Sequence, residues 1–514
     1  MKNNFLNRTI VSIGVIGLIW GCELETITPV TEPMTKESIE QEKQEQEDQK
    51  QEEEQKETPQ DTTSTSDDSY KIPAFYETKA FPSAEGYGRF TRGGREGRAI
   101  YVTSLDDSSA PGTLRYALEV ATGPRTVLFK VSGIIELGTW VKIKDPYITI
   151  AGQSAPGSGI TLKNSGIQIE THDVIIRHIR IRPGDSRDGT PPTDRDALFI
   201  YKDRNCHNIM LDHVSFTWSI DENVSFSTGT NNLTMQNCIV GEALSNSLHE
   251  EGEHSKGLLM LNNLDNISIV NNLFAHNYGR NPLISSNTRN VHVVNNLIYN
   301  WGPVRPGYGT HTQIFKDQIP INDAVIYRNM YRKGRISSDL PLYRTGNWYL
   351  VDGSTIFLDQ NYMDDGGNIN PLKEVSTSYL DKPEFFATFM ITQAPARWES
   401  EYSKIRSINE VEDYVLNNVG ARIPIVDKVD ERIINETRTH SGDFVDSPND
   451  RGGYPSQFQG TVPADRDEDG IPDKWEISKD LNPDSHNDAG SYTLSPHYTN
   501  LEMYLNELAG DYSM

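Results

Sequence analysis

Three short polar clusters interrupt a series of apolar segments between residues 219 and 282. They read Ser-Ile-Asp-Glu-Asn-Val-Ser at 219–225, His-Ser-Lys-Gly at 254–257 and Tyr-Gly-Arg-Asn-Pro at 278–282. Clustered carboxylates are oxygen ligands for hard cations, whereas lysine and arginine bind carboxylate groups. Together these residue types suit an enzyme that acts on an acidic polymer.

The apolar segments around these clusters repeat. Their first apolar residues are separated by 24, 34, 24, 33 and 32 residues, at Ile209, Leu233, Ile267, Val291, Ala324 and Ile356. Each segment is too short to bury itself, so a unit of roughly 24 residues with insertions is typical of a stacked solenoid. In the alternative, a β-sandwich, strands would recur about every 8–12 residues. The spacing therefore predicts an all-β fold, a right-handed parallel β-helix.

The repeat also predicts an internal ladder of amide side chains. The fifth residue after the strand start is asparagine in four successive segments, at Asn272, Asn296, Asn329 and Asn361. Stacked in register, each amide would bond the amide in the next coil.

The same register predicts which polar residues become neighbours. Glu222 lies thirteen residues after one strand start, and Arg280 lies thirteen residues after another. They would share an angular position two coils apart, roughly 10 Å at about 4.8 Å per strand. Such a gap would hold a metal ion and one sugar unit.

The N-terminus predicts export. Lys2 and Arg8 precede an apolar run that ends in Leu-Ile-Trp-Gly-Cys, which resembles a bacterial lipoprotein signal at residues 1–21 with Cys22 as the lipidated residue. An apolar run of about ten or eleven residues is too short for a transmembrane helix. We expect a lipoprotein of the outer membrane or cell surface, or a secreted protein, that touches a membrane only through its lipid anchor.

Residues 22–70 are predicted to form a disordered tether. Within them, 32–68 carry fourteen acids and four lysines, which contributes −10 to the formal net charge of −25. Such a segment buries too little apolar surface to fold. The acidity is therefore partly a property of the tether and does not exclude an anionic substrate, whereas the lack of a basic stripe in the sequence argues against nucleic acid.

Two smaller features concern the predicted coils. Cys206 and Cys238 are too far apart in the register for a disulfide and are predicted to pack as small apolar side chains. The segment from Gly112 is predicted to form a short helix that caps the first coil, since solenoids need a covered end.

A C-terminal module is predicted at 461–514. It contains acids at positions 1, 3, 5, 9 and 12 of a loop, with glycine at position 6, namely Asp465, Asp467, Asp469, Asp473 and Glu476 with Gly470. This spacing is typical of a calcium loop and resembles those of dockerin-like and thrombospondin-type repeats. We expect a structural calcium site, and an acidic turn is the alternative.

Taken together, the motifs resemble the pectate lyases of polysaccharide lyase family 1 over about residues 80–365, within a β-helix domain predicted at 71–365. The resemblance rests on Ala-Phe-Pro at 80–82, Gly-Thr-Leu-Arg at 112–115, Ile-Ala-Gly-Gln-Ser-Ala-Pro-Gly at 150–157, Asp-Ala-Leu-Phe-Ile at 196–200, Leu-Asp-His at 211–213, Trp-Ser-Ile-Asp-Glu at 218–222, His-Ser-Lys-Gly at 254–257 and Gly-Arg-Asn-Pro at 279–282. It implies calcium-dependent β-elimination of polygalacturonate, which is de-esterified pectin, to 4,5-unsaturated oligogalacturonates.

The resemblance also implies roles for individual residues. It implies that Asp196, Asp221 and Glu222 bind calcium. Arg280 matches the arginine that removes the proton, and Lys256 matches the lysine that binds substrate and assists catalysis.

Further substrate contacts are expected from three residues. Trp218 is either a sugar platform or a core residue, and His254 is expected to act at the substrate site as an orienting group. Many members carry another arginine where this chain has Ser285, and Arg289 is the candidate replacement.

Other functions stay open. A β-helical hydrolase would use paired carboxylates and leave no double bond; a lyase of another uronan or a non-catalytic glycan-binding protein are further alternatives. The extension at 366–460, with a predicted helix near 408–416, is expected to pack along the β-helix or to close its end. We expect a monomer that binds an acidic polysaccharide.

Overall fold

The computed structural model describes residues 78–202, 204–302, 313–316, 320–321, 323–337, 343–344, 352–364, 373–375, 384 and 387–511. They all belong to one compact unit, Ile72–Met514. The predicted signal, Cys22 and the acidic tether lie outside the described residues. Within the described part of the chain, no helix has the length and apolar character needed to cross a membrane.

Strands β1–β28 form three sheets. Sheet I contains, in order along the stack, β1 (Arg98–Val102), β2 (Arg125–Phe129), β5 (Ile148–Ala151), β8 (Val174–Arg177), β11 (His207–Asp212), β14 (Asn231–Gln236), β17 (Asp265–Val270), β20 (Arg289–Val294), β23 (Ala324–Tyr327) and β26 (Ile356–Asp359). Sheet II contains β3 (Gly133–Glu136), β6 (Ile160–Lys163), β9 (Arg180–Ile181), β12 (Ser215–Thr217), β15 (Ile239–Gly241), β18 (Leu273–Ala275), β21 (Leu297–Tyr299), β24 (Met330–Arg332), β27 (Tyr362–Asp364) and β28 (Lys373–Glu374). Sheet III contains β4 (Val141–Ile143), β7 (Ile167–Ile169), β10 (Leu198–Ile200), β13 (Glu222–Phe226), β16 (Lys256–Met260), β19 (Leu283–Ser285), β22 (Gln313–Lys316) and β25 (Tyr343–Arg344).

The chain visits the three sheets in turn, so one strand from each makes a coil. Neighbouring strands run parallel, apart from the antiparallel pair β27–β28. Ile209, Leu233, Ile267 and Val291 lie opposite one another and are fully buried. The predicted right-handed parallel β-helix and its register are confirmed.

The internal ladder is also confirmed. The side-chain Nδ2 of Asn272 donates to Oδ1 of Asn296, Asn296 donates to Asn329, and Asn329 donates to Asn361, each at 3.0 Å. Each accepting oxygen also takes a backbone N–H, so these buried amides are fully used. Cys206 and Cys238 are buried free thiols, as predicted.

The sequence does not predict a second, half-buried ladder, which runs along the first residues of strands β11, β14, β17 and β20 of sheet I. It joins Asn232 to Asn208, Asn266 to Asn232 and Asn290 to Asn266 at 3.3, 3.0 and 2.9 Å. All four have positive φ, which asparagine tolerates better than most residues. Asparagine thus suits this position in two ways, because it tolerates positive φ and because its side chain bonds the asparagine of the next coil.

Helical segments cover the outside of the coils. The predicted cap is a single turn, Tyr116–Val120, whose Ala117 and Leu118 are fully buried. Among the described residues, the α-helices are α1 (Ile408–Asn418), α2 (Lys428–Arg438), α3 (Asp473–Ser478) and α4 (Asn500–Ala509). Short 3₁₀ turns lie at Tyr87–Phe90, Gly152–Ser154, Pro192–Asp194, Trp398–Glu401 and Pro448–Arg451.

The extension packs along sheet II. Apolar residues of α1 and α2 join one cluster with those of sheet II, including Ile239, Leu273 and Leu297. A buried ion pair between Arg182, which directly follows β9, and Asp430 of α2, at 2.6 Å, reinforces this contact. Helices α1 and α2 thus lie along sheet II.

Candidate active site

Sheet III brings together the three acids predicted to bind calcium. Asp196 precedes β10, Asp221 precedes β13 and Glu222 begins β13, and their carboxylate oxygens lie within 4.8 Å of one another. The backbone N–H of Glu222 donates to Oδ1 of Asp196 at 3.0 Å. Burial, followed by the charge of Asp221, raises the pKa of Asp196 well above its usual value. Such crowding of buried acids favours a cation between them.

The next two coils add the predicted lysine and arginine. Lys256 is the register partner of Glu222, and Gly279 is in turn the bridge partner of Lys256. Arg280 follows, and its guanidinium contacts the carboxylate of Glu222 directly. The predicted open gap of roughly 10 Å between Glu222 and Arg280 is therefore wrong, because the long arginine side chain reaches across the intervening coil.

Burial lowers the proton affinity of both cations. It lowers the pKa of Lys256 to about 8, although the charges of Glu251, Glu253 and Asp221 oppose the shift. It also lowers the pKa of Arg280 from its ordinary value, against the charges of Asp221 and Asp196. A neutral form thus becomes more accessible for both groups than it would be in water.

The backbone around Arg280 is held by the preceding coil. Arg280 has a left-handed φ of 59°, and its carbonyl accepts the N–H of Leu258 at 2.6 Å. A Cβ on Gly257 would lie 2.7 Å from that carbonyl oxygen. The glycine of the His-Ser-Lys-Gly motif is therefore required for the turn that presents Arg280.

A buried amide network beneath the site was missed by the sequence analysis. Nδ2 of Asn223 donates to Oδ1 of Asn277 at 3.2 Å, and Nδ2 of Asn277 donates to Oδ1 of Asn281 at 3.1 Å. Asn281 directly follows Arg280, so the network fixes the arginine turn to β13. Spacing gave no signal for it, because these residues lie outside the sheet I strands that carry the repeat.

Two histidines contact Asp221. Nε2 of His254 lies 2.9 Å from Oδ1 of Asp221, and Nε2 of His249 lies 3.6 Å away from it. The two rings stack at 3.8 Å. His254 is buried against Asp221, a position in which it can orient that carboxylate. His249 was not singled out in the sequence.

Two further assignments are corrected. Trp218 is fully buried and donates its Nε1 hydrogen to Glu242 at 3.0 Å, so it is a core residue and not a sugar platform. Arg289 begins a strand of sheet I, is largely exposed and pairs with Asp265 at 2.7 Å. It does not join the cluster on sheet III.

Aromatic residues do border the acids. A cavity of about 440 Å³ is lined by Asp196, Asp221 and Glu222 together with Trp140, Phe199 and Tyr201. Phe199 stands between the buried Leu198 and Ile200. Alternation along this strand was a usable signal that an aromatic side chain points outward.

The C-terminal loop brings together most, but not all, of its predicted ligands. Carboxylate oxygens of Asp465, Asp467 and Asp469 lie within 4.8 Å of one another. Asp473 is instead held by Arg466, whose backbone N–H and Nε donate to it at 2.9 and 3.0 Å. Its assignment as a ligand is corrected, because both of its oxygens are engaged.

Comparison with known proteins decides the family. No family model matches the sequence. The probable pectate lyase C of Aspergillus flavus is 31% identical over 439 residues, covering 84% of this chain and 94% of that protein. The chain belongs to the pectate lyase family. It is accordingly an enzyme, a polysaccharide lyase.

Other pectate lyases and related structures match similarly. The probable pectate lyase C of Aspergillus terreus is 32% identical over 442 residues, covering 84% of this chain and 94% of that protein. A solved pectate lyase bound to a hexasaccharide matches 68% of this chain and 99% of its own, with a TM-score of 0.43 and 16% identity. The cedar pollen allergen Jun a 1 matches 66% of this chain and 92% of its own, with a TM-score of 0.42 and 18% identity. Membership in the family rests on the sequence relatives.

Proposed function

We propose that the enzyme cleaves de-esterified pectin, a (1→4)-α-D-galacturonan, by calcium-dependent β-elimination. The observation that carries this proposal is the placement of three acids, a lysine and an arginine on successive coils of sheet III. The products would be oligogalacturonates with a 4,5-double bond. Export and a lipid anchor at Cys22, and a monomeric state, are further proposals from the sequence.

The donor set fits calcium. Asp196, Asp221 and Glu222 offer only carboxylate oxygens, and hard cations such as Ca²⁺ prefer these ligands. When bound, calcium supplies positive charge that stabilises negative charge developing beside the uronate carboxylate. His254 contributes by holding Asp221 in position.

The protein residues divide the remaining work. Lys256 is suited to neutralise a substrate carboxylate as a point charge. The aromatic residues Trp140, Phe199 and Tyr201 line the adjoining cavity and are suited to pack against sugar rings.

Arg280 is proposed to take the proton from C5 of the sugar. The electron pair then forms the C4–C5 double bond, the C4–O bond breaks, and the leaving oxygen acquires a proton from water. An ordinary guanidinium stays protonated at neutral pH, but burial lowers the pKa of Arg280 and raises the fraction that is neutral. The contact with Glu222 fixes the direction of its side chain.

The test is an assay of the full chain on polygalacturonate. Ultraviolet absorbance of unsaturated products is expected with calcium and not with a chelator. Arg280→Ala is expected to lower the rate by about 100- to 10,000-fold, the usual contribution of a positioned base. Arg289→Ala, which removes an exposed arginine outside the cluster, is the matched control and should retain activity.

Other outcomes identify the alternatives. New reducing ends without absorbance would mean hydrolysis. No cleavage of polygalacturonate, but cleavage of another uronan, would change the substrate. Binding without cleavage across a panel of uronans would contradict the enzymatic proposal altogether.

A further inference from the structure

A second group of acids lies in the C-terminal segment 465–511 and shares no residue with the active site. Its centre is the loop with Asp465, Asp467 and Asp469, whose carboxylate oxygens lie within 4.8 Å of one another. Glu476 of α3 is fully buried, and the charges of Asp467 and Asp465 help to raise its pKa. The acids thus converge from a loop and the helix that follows.

Several of these oxygens are buried and have no protein partner. Glu476 is 0% exposed, and neither of its carboxylate oxygens has a hydrogen-bond partner among the described residues. Asp469 is 2% exposed, and its Oδ2 is likewise without a partner. A buried carboxylate without a partner is costly. The arrangement therefore calls for a positive group at its centre.

A further acid, Asp488, completes the group and was not predicted from the loop spacing. Its charge acts on Glu476, and its Oδ1 is also buried without a partner. Burial and the neighbouring acids raise the pKa of Glu476 to about 7, and they raise that of Asp469 to about 8. All ligands offered are carboxylate oxygens, which select a hard divalent cation of the calcium class over zinc or copper.

The loop is seated on the first coils of the β-helix. Tyr101 of β1 donates its hydroxyl hydrogen to Asp465. A Cβ on Gly470 would lie 2.8 Å from Leu128 of β2 and 2.9 Å from Leu501 of α4, so the loop backbone is tightly enclosed. Ile471 packs in the same apolar cluster as Leu128 and Leu501.

We propose that Asp465, Asp467, Asp469, Glu476 and Asp488 bind a divalent cation that fastens segment 465–511 onto the first coils. The cation joins the loop, α3 and the turn at Asp488, and through Tyr101 and Ile471 this assembly covers β1 and β2. Cation binding there stabilises the N-terminal end of the β-helix. The site acts on stability and does not depend on the proposed reaction.

The first test compares thermal unfolding of the full chain with calcium and with a chelator. A calcium concentration 100-fold above the dissociation constant should multiply the folding equilibrium constant about 100-fold. Glu476→Gln and Asp467→Asn should lose most of this stabilisation. Glu468→Gln makes the same chemical change on an exposed residue of the same loop and should keep it.

With calcium removed by a chelator, the melting temperature of Glu476→Gln is expected to change in the opposite direction. Glu476→Gln removes a buried charge from among other acids, so this variant should melt higher than the wild type without calcium and lower with it. An equal calcium shift in wild type and Glu476→Gln, or no shift in the wild type, would overturn the proposal. So would a shift that is lost in Asp196→Asn and kept in Glu476→Gln, since it would belong to the active site.

Hydrogen exchange locates the effect. Calcium should slow exchange in segment 465–511 and in β1 and β2, and Glu476→Gln should abolish this protection. Hydrogen exchange also detects the effect if segment 465–511 unfolds at a lower temperature than the coils. Protection restricted to sheet III would contradict the proposal, whatever the result of the polygalacturonate assay.

Discussion

The two acidic clusters of this molecule are built from the same side chain chemistry in opposite ways. On sheet III, acids from two coils meet Lys256 and Arg280 from the next two, beside an open cavity of about 440 Å³. In the C-terminal segment, acids converge from one loop, one helix and one turn. There, among the described residues, the five acids make a single ion pair, Lys130 with Asp465 at 3.9 Å.

The difference follows from how each cluster is assembled. Parallel stacking brings together residues that are 20 to 60 positions apart, so acids and bases of different motifs can be combined across coils. A loop can only gather what its own short sequence carries, which here is a run of aspartates. The first arrangement suits a reaction with a charged polymer, and the second suits the binding of a cation for stability.

The largest expected effect comes from substituting one acid in each cluster. The two substitutions test whether the clusters have separate roles. Asp196→Asn should lower the lyase rate roughly a thousandfold, because metal charge stabilisation is worth several kcal/mol in such reactions. Its calcium-dependent thermal shift should persist. Glu476→Gln should instead lose the calcium-dependent thermal shift and keep the lyase rate of the wild type. Rates and melting curves on the same preparations check both.

The comparison breaks if the effects do not separate. If Asp196→Asn also abolished the thermal shift, both clusters would serve stability. If Glu476→Gln lowered turnover as strongly as Asp196→Asn at a temperature well below melting, the C-terminal segment would have to act on the reaction.

The next effect concerns the lysine that only the first cluster has. Lys256→Met keeps the length of the side chain and removes its charge, so KM for polygalacturonate should rise about 10- to 100-fold, with a smaller change in kcat. Lys142→Met is the matched control, because Lys142 also lies on sheet III but pairs with Glu170 at 3.7 Å. Steady-state rates at fixed ionic strength give both constants. An unchanged KM in Lys256→Met would remove the lysine from substrate binding.

Register made much of the fold and of the active site predictable from sequence. The coil repeat predicts the order of the strands, and it places the four ladder asparagines in the register in which they are hydrogen-bonded. It also predicts that Glu222 and Arg280 lie two coils apart, which agrees with the pairing of Glu222 with Lys256 and of Lys256 with Gly279, whereas Lys256 itself was identified through the family resemblance. Repetition supplies this information because the spacing between coils determines which residues of adjacent coils lie opposite one another.

What was missed depends on side chain direction and on insertions, which repetition does not constrain. Trp218 follows a strand and turns inward to Glu242, although its motif also contains Asp221 and Glu222. Asn277 lies between β18 and β19, outside the repeated segments of sheet I, and His249 lies in an insertion between β15 and β16. Asp488 comes twelve residues after Glu476, beyond the reach of a loop pattern. Backbone spacing also left a gap between Glu222 and Arg280. The long side chain of Arg280 closes this gap by contacting Glu222.

The smallest expected effect is a difference between two pH profiles of the active site. With the pKa of Lys256 lowered to about 8 by burial, the free enzyme loses this positive charge as pH rises through 8. The value of kcat/KM should therefore fall about fivefold between pH 8 and 9, since it reports the free enzyme.

In the substrate complex, the uronate carboxylate favours the charged lysine, so kcat should continue to rise into the alkaline range, where more Arg280 is neutral. Lys256→Arg keeps its charge and should lose the fall in kcat/KM. The C-terminal cluster contributes no group to this profile, so Glu476→Gln should leave it unchanged at temperatures well below melting. A fall that persisted in Lys256→Arg would assign the titration to another group and leave the lysine as a charge without a role in the pH dependence.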